Sequence, residues 1–229
     1  MSTIIAIETS TELASAALLH DGRILSLETS GVQNHSQTVL PMVQQLLAQA
    51  GIGLDRCDAV AFGAGPGSFT GVRTACGIAQ GLAFGLDVPV VPVGTLEAMA
   101  QACREAADAA DVVAVLDARM GEVYWAHYRF DGAWHSIVAP RLSPPAEVDA
   151  SAHVLACGNG LAAYGEAFAG RAFMAQARAD LMPHARQVAQ LAEAAFARGE
   201  SVPAHDAQPV YLRNKVALTT SERQAKVPA

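Results

Sequence analysis

Val112-Val113-Ala114-Val115-Leu116-Asp117 repeats in mid-chain the layout of Ile4-Ile5-Ala6-Ile7-Glu8 near the start: a short apolar run closing on a carboxylate. Runs of this length, rich in β-branched residues, read as buried strands. The segments C-terminal to the two runs are also alike. Glu12 to Leu19 and Arg23 to Thr29 read as two strands joined by Asp21-Gly22. Gly121 to Phe130 and Ala133 to Ala139 read as two strands joined by Asp131-Gly132. An Asp-Gly pair between strands suits a two-residue hairpin, because both positions tolerate a left-handed backbone. Carboxylate-to-turn spacing differs by one residue between the halves. Two units of three antiparallel strands, each followed by helices and strands, predict a duplicated α/β fold.

In the first half, Val39, Val43, Leu46 and Ala50 make a helical stripe, widened by Leu40 and Leu47 and ended by Gly51. Pro41 requires that helix to begin near Thr38 or to bend. Asp58 to Phe62 reads as a strand, Phe69 to Phe84 as a helix, Val88 to Val93 as a strand and Thr95 to Ala107 as a helix. In the second half, Pro140 to Ala150 reads as a loop, His153 to Cys157 as a strand, and Leu161 to Phe168 and Arg186 to Arg198 as helices. The expected domains are a first lobe over residues 1–107, a degenerate second lobe over 108–208, and a C-terminal segment over 209–229 whose end, after Thr219, is expected to be mobile.

The 229 residues are 52% hydrophobic and 16% charged, enough apolar matter for an ordinary core. No apolar run approaches a membrane span, and Met1 to Ile7 lacks a signal-peptide layout. Four scattered cysteines without a C-x-x-C pair are expected to be reduced and buried in a cytoplasmic protein. Net charge is −7 and the two lysines are Lys215 and Lys226. Gripping nucleic acid unaided needs a dense basic face, so any link to RNA is expected to run through a partner.

Gly63-Ala64-Gly65-Pro66-Gly67-Ser68-Phe69-Thr70-Gly71-Val72-Arg73 is the most informative loop. It is neither a Walker loop, since Val72 stands where Lys is needed, nor a G-x-G-x-x-G fingerprint. A tight strand-to-helix turn for close packing is the plainer reading. Anion binding by Gly65, Gly67, Ser68, Gly71 and Arg73 at the helix start is the alternative. Glu8 and Asp117, with Thr9 and Ser10 beside the first, would face each other across a cleft if the halves are related by a pseudo-twofold axis. In two-lobed kinases and ATPases such a pair handles metal-bound phosphates; a polar cleft without strong nucleotide affinity is favoured here. None of the seven histidines has helical metal-ligand spacing. His35 is expected to cap the first helix at the cleft edge. No G-x-S-x-G elbow occurs.

Ile4 to Ser10 (I-A-I-E-T-S within it), His35 to Pro41 (H-S-Q-T-V-L-P), Gly65 to Arg73 (G-P-G-S-F-T-G-V-R), Gly81 to Val93, Asp117 to Tyr124 (D-A-R-M-G-E-V-Y) and Pro209 to Arg213 (P-V-Y-L-R) together resemble the TsaB family, also called YeaZ. The likeness runs over about residues 1–215. It implies a two-lobed actin-like, sugar-kinase and heat-shock ATPase fold, ribonuclease H-like with a duplicated βββαβαβα order. It also implies a role beside the catalytic paralogue TsaD and the ATPase TsaE in placing a threonylcarbamoyl group on the tRNA adenosine next to the anticodon. TsaD-like chains carry two metal-binding histidines where this sequence has Thr95 and Met99, and neither side chain replaces imidazole on a hard catalytic metal. No catalytic residue, metal or cofactor is therefore expected, weak nucleotide binding in the cleft being left open.

A docking subunit needs an apolar surface. Val39, Val43, Leu46 and Leu47 on the first helix, and Val72, Ala75, Ile78, Ala79, Leu82 and Ala83 on the helix after the glycine loop, are the candidates for a seam with TsaD or, when alone, with a second copy. The small residues of the latter helix favour close helix approach. The competing readings are an ATP-binding kinase or ATPase of the same fold, a glycoprotease-like peptidase acting on a partner protein, and an oligomeric binding module unrelated to tRNA.

Overall fold

A computed structural model describes residues 2–30, 35–150 and 154–213. Two sheets form the two lobes. The first comprises β1 (Ile4–Glu8), β2 (Leu13–His20), β3 (Arg23–Ser30), β4 (Ala59–Gly65) and β5 (Val90–Gly94) in the order β3-β2-β1-β4-β5. β1 pairs antiparallel with β2 and parallel with β4. The second comprises β6 (Asp111–Arg119), β7 (Glu122–Phe130), β8 (Trp134–Ser143) and β9 (Leu155–Cys157) in the order β8-β7-β6-β9. Pairing repeats too: β6 is antiparallel to β7 and parallel to β9. The duplication expected from the two strand-carboxylate runs is therefore present, with the second sheet one strand shorter.

Each sheet is covered on both faces, which is why β1 and β6 are apolar without alternation. Ile5 and Ile7 of β1 pack under α1 (His35–Ala50) and α2 (Phe69–Leu86). Ile4 and Ala6 pack on Val188, Ala189 and Ala192 of α6 (Ala185–Ala197). In the second lobe, Val112, Ala114 and Leu116 meet Leu96, Met99 and Cys103 of α3 (Thr95–Ala107), while Val113 and Val115 meet Leu161, Phe168 and Phe173. Burying one such aliphatic side chain contributes about 1.5–3 kcal/mol.

The last pairing corrects the expected domain line. α3 belongs by sequence to residues 1–107 yet helps to build the second lobe's core. α6 belongs to residues 108–208 yet covers the first sheet, its first N–H donating to Ser15 Oγ at 2.9 Å. α3 thus packs between the lobes, with Ala98 in the first lobe's core, and α6 crosses back to the first sheet, which local sequence pattern does not encode.

Three further expectations change in detail. Pro140 to Ser143 is not loop but the end of β8; β8 is an edge strand, and the pairing shifts between Trp125 and His127, so the missing N–H of Pro140 is tolerated. The helix expected over Leu161 to Phe168 is two short pieces, α4 (Gly160–Ala163) and α5 (Gly165–Phe168), broken at Tyr164. α1 begins at His35 and holds Pro41 inside. His153 and the tail after Thr219 lie outside the described residues.

Candidate functional site

A cleft of about 610 Å³ lies between the lobes. Its first wall is the turn after β1 and the start of α2, with Ser10, Thr11, Gly67, Ser68 and Gly71; its second is Asp117, Ala118, Arg119, Met120 and Asn159. The glycine loop is pressed against the end of β1. A Cβ at Gly63 would land on Glu8 Oε2, and one at Gly71 on the Thr9 carbonyl oxygen. Only glycine allows that approach. Hydrogen bonds accompany the contact: Ser68 N–H donates to Ser10 O at 2.7 Å, and Thr9 Oγ1–H donates to Gly71 O at 2.7 Å.

This contact shows the close packing that one reading of the loop expects, and it engages part of the backbone that the anion-binding reading would use. The N–H groups of Gly65, Ser68, Gly71 and Val72 are committed to Thr95 Oγ1, Ser10 O, Ser68 Oγ and Ser68 O. Ser68 caps α2 with its side chain. Arg73 does not line the cleft; its guanidinium lies 3.8 Å over the Phe69 ring.

The two carboxylates do not form a facing pair. Glu8 is wholly buried and does not line the cleft. Its Oε1 accepts from Ser10 N–H at 2.6 Å and its Oε2 from Thr95 Oγ1–H at 3.3 Å. Burial raises its affinity for a proton, opposed by the hydrogen bonds from Ser10 and Thr95. Asp117 does line the cleft but is fully engaged. It accepts from Tyr164 Oη–H at 2.8 Å and Arg119 N–H at 2.7 Å, and pairs with the Arg119 guanidinium at 3.0 Å. The expectation that the two acids face each other across the cleft is therefore corrected: the first is sealed in the core and the second is held by its own lobe. His35 stands at the start of α1 as described, and its Nε2–H donates to Thr11 O at 3.0 Å, tying that helix to the turn after β1.

The described arginines of the cleft are paired with carboxylates. Arg119 is also bridged across the cleft to Glu12 at 2.7 Å, and Arg213 pairs with Glu122 at 2.7 Å. The cations that face the cleft already have carboxylate partners, and Glu12 and Asp117 add negative charge there. Thr95 and Met99 are both fully buried, the former bonded to Glu8 and Gly65, the latter in the second lobe's core. Among the described residues no group of three His, Cys, Asp or Glu side chains is placed to hold a metal ion. The four cysteines are free and buried.

The interface candidates on α1 and α2 need a second correction. Val39, Val43, Leu46, Leu47, Ala75, Ala79 and Ala83 are buried in the first lobe's core, Ile78 and Leu82 pack against it, and Val72 is buried as well. Amphipathic periodicity finds the stripe that the chain's own sheet covers. The outer face, which periodicity misses, carries Leu40 on α1 and Phe84 on α2, 42% and 82% exposed. Beside Phe84 lie Gly77, Gly81 and Gly85, and a Cβ on any of the three would meet nothing within 4 Å. Helical spacing of four residues puts these glycines in one row.

Fold and cleft together define a duplicated two-lobed α/β protein of the actin-like, ribonuclease H-like class. The family described as TsaD, tRNA N6-adenosine threonylcarbamoyltransferase, matches residues 27–220. The tRNA threonylcarbamoyladenosine biosynthesis protein TsaB of Escherichia coli K12 is 40% identical over 221 residues, covering 93% of this chain and 96% of that protein. Its Haemophilus influenzae counterpart is 39% identical over 226 residues, covering 93% and 94%. YeaZ from Pseudomonas aeruginosa superposes with a TM-score of 0.86 at 45% identity, covering 93% of this chain and all of that one. Another crystal structure from that organism, described as similar to peptidase YEAZ, gives 0.85 at 43%, with the same coverages. The chain belongs to the TsaB family, within the wider group that includes TsaD. No described helix is long and apolar enough to cross a membrane.

Proposed function

We propose that this chain serves tRNA threonylcarbamoyladenosine biosynthesis as a non-catalytic subunit, seating the catalytic paralogue TsaD on the outer face of α1 and α2. The observation that carries the reading is the row of Gly77, Gly81 and Gly85 beside the bare Phe84 ring. An apolar ring left in water beside a groove without side chains is a surface made for another helix. TsaD suits it because the TsaD family match spans α1 and α2, so that partner is built on equivalent helices. A second copy of this chain occupies the same face when TsaD is absent. TsaE joins the assembled pair, and tRNA is reached only through the complex, in keeping with the net charge of −7. The engaged state of Glu8, Asp117, Thr95 and Met99 supports a subunit that performs no chemistry and takes no cofactor, in the cytoplasm where tRNA is modified.

The test is co-purification with TsaD. Phe84→Asp and Gly81→Arg are expected to abolish it while the circular dichroism spectrum and melting temperature stay near those of the parent. A complex that survives both changes refutes the docking face. Ala79→Arg and Ala83→Arg do not serve, because those methyls face the core and a buried unpaired guanidinium would unfold the lobe.

A further inference from the structure

The last described residues cross the mouth of the cleft and are bonded to both lobes. On the first-lobe side, Val210 N–H donates to Ala64 O at 2.7 Å and Gln80 Nε2 donates to Ala207 O at 3.0 Å. Tyr211 stands 5.6 Å from the Phe69 ring, centroid to centroid, and its Oη accepts from Arg73 Nε–H at 2.7 Å. These contacts anchor the segment along α2. On the second-lobe side, Leu212 packs against the core that holds Leu116 and Tyr124. Arg213 then reaches under the β6–β7 hairpin. Its guanidinium donates to the carbonyls of Ala118 at 3.0 Å and Arg119 at 3.4 Å, and meets Glu122 at 2.7 Å. Its side chain is only 15% exposed, so water screens this pair less than the outer ion pairs of the molecule.

We infer that Val210 to Arg213 is a strap across the cleft mouth and Arg213 its latch, holding the two lobes at one opening. Helices α3 and α6 also pack on each other, but neither lines the cleft. They join the lobes as a pivot, whereas the strap ties the open side. A planar guanidinium that satisfies two carbonyls and a carboxylate at once fixes position as well as charge. The other tie across the cleft, Arg119 to Glu12, joins side chains that are 72% and 55% exposed, and such pairs contribute little. Because the strap is anchored on α2, it makes both lobes move as one body with the proposed docking face. That consequence rests on the proposed seat for TsaD; the strap itself does not, and is tested on the isolated chain.

All four native cysteines are buried, so spin labels go to introduced sites, Gln45→Cys on exposed α1 and Ser136→Cys on exposed β8. Pulsed electron–electron double resonance then reads the inter-lobe distance. The labelled parent is expected to give one narrow distribution. Arg213→Ala should widen it or move it by several ångströms. Arg213→Lys, which keeps the charge but lacks the planar guanidinium fork, should widen it less. An unchanged distribution in folded Arg213→Ala overturns the proposal. If that variant does not fold by circular dichroism, Glu122→Ala, which removes one acceptor from a half-exposed site, decides in its place: widening supports the latch and a parental distribution overturns it.

Discussion

β1 and β6 enter the cleft on one plan, a buried apolar strand closing on a carboxylate with a glycine-bearing turn against its end. The two ends are used differently. At Glu8 the turn closes over the side chain completely, so the carboxylate becomes part of the core. At Asp117 the side chain stays at the cleft wall and binds Tyr164 and Arg119. The two halves share the backbone plan, but burial encloses one carboxylate and hydrogen bonding and ion pairing engage the other. What distinguishes a working pair from an inherited one is therefore the number of free lone pairs that face solvent, not the presence of two acids.

The contrast can be broken at the glycines first. Gly71→Ala would place a methyl on the Thr9 backbone, which cannot rotate away, so chemical denaturation is expected to show a loss of about 3 kcal/mol. On the second wall, Gly160→Ala meets the Val115 side chain at 2.8 Å and its carbonyl at 3.0 Å, a looser contact than at Gly71, and should cost about 1–2 kcal/mol. Equal losses would mean that the two turns are equally closed. Next, Glu8→Ala strands the Ser10 N–H and the Thr95 hydroxyl in the core, for about 2–3 kcal/mol. Asp117→Ala leaves groups that water can reach and should cost about 1 kcal/mol.

A smaller effect sharpens the same point through pH. Burial raises the Glu8 pKa in the folded chain above the ordinary glutamate value of 4.5, so the folded state holds this proton more tightly than the unfolded state. The stability this contributes is complete below pH 4.5 and is lost as pH rises through the folded value. Subtracting the denaturation profile of Glu8→Gln from that of the parent should isolate a fall with rising pH in that window. A flat difference would mean that Glu8 is not desolvated.

Much of this arrangement is legible in the sequence, for physical reasons. The paired strand-carboxylate runs and the Asp21-Gly22 and Asp131-Gly132 turns encode the duplicated sheet order locally, and α3 runs from Thr95 to Ala107 as its pattern predicts. The glycine loop is recognisable as a close approach, though not what it approaches. Side-chain periodicity finds a buried stripe but is blind to what buries it, so Val39, Val43, Ala79 and Ala83 read as an interface when their own sheet covers them. The useful signal for the outer face was present in the spacing Gly77, Gly81, Gly85 next to Phe84. The return of α6 to the first sheet and the grip of Arg213 on the β6–β7 hairpin join residues about 90 apart in sequence or more, and no local pattern reports them.

The proposed function lies on a helix face and not in the cleft, and a reconstituted threonylcarbamoylation assay with TsaD, TsaE and tRNA tests that division directly. The double variant Glu8→Gln, Asp117→Asn is expected to support modification at the parental rate once folded, whereas Phe84→Asp should lose it with loss of TsaD binding. A dead Glu8→Gln, Asp117→Asn protein that still binds TsaD, beside an active Phe84→Asp protein, would contradict that division.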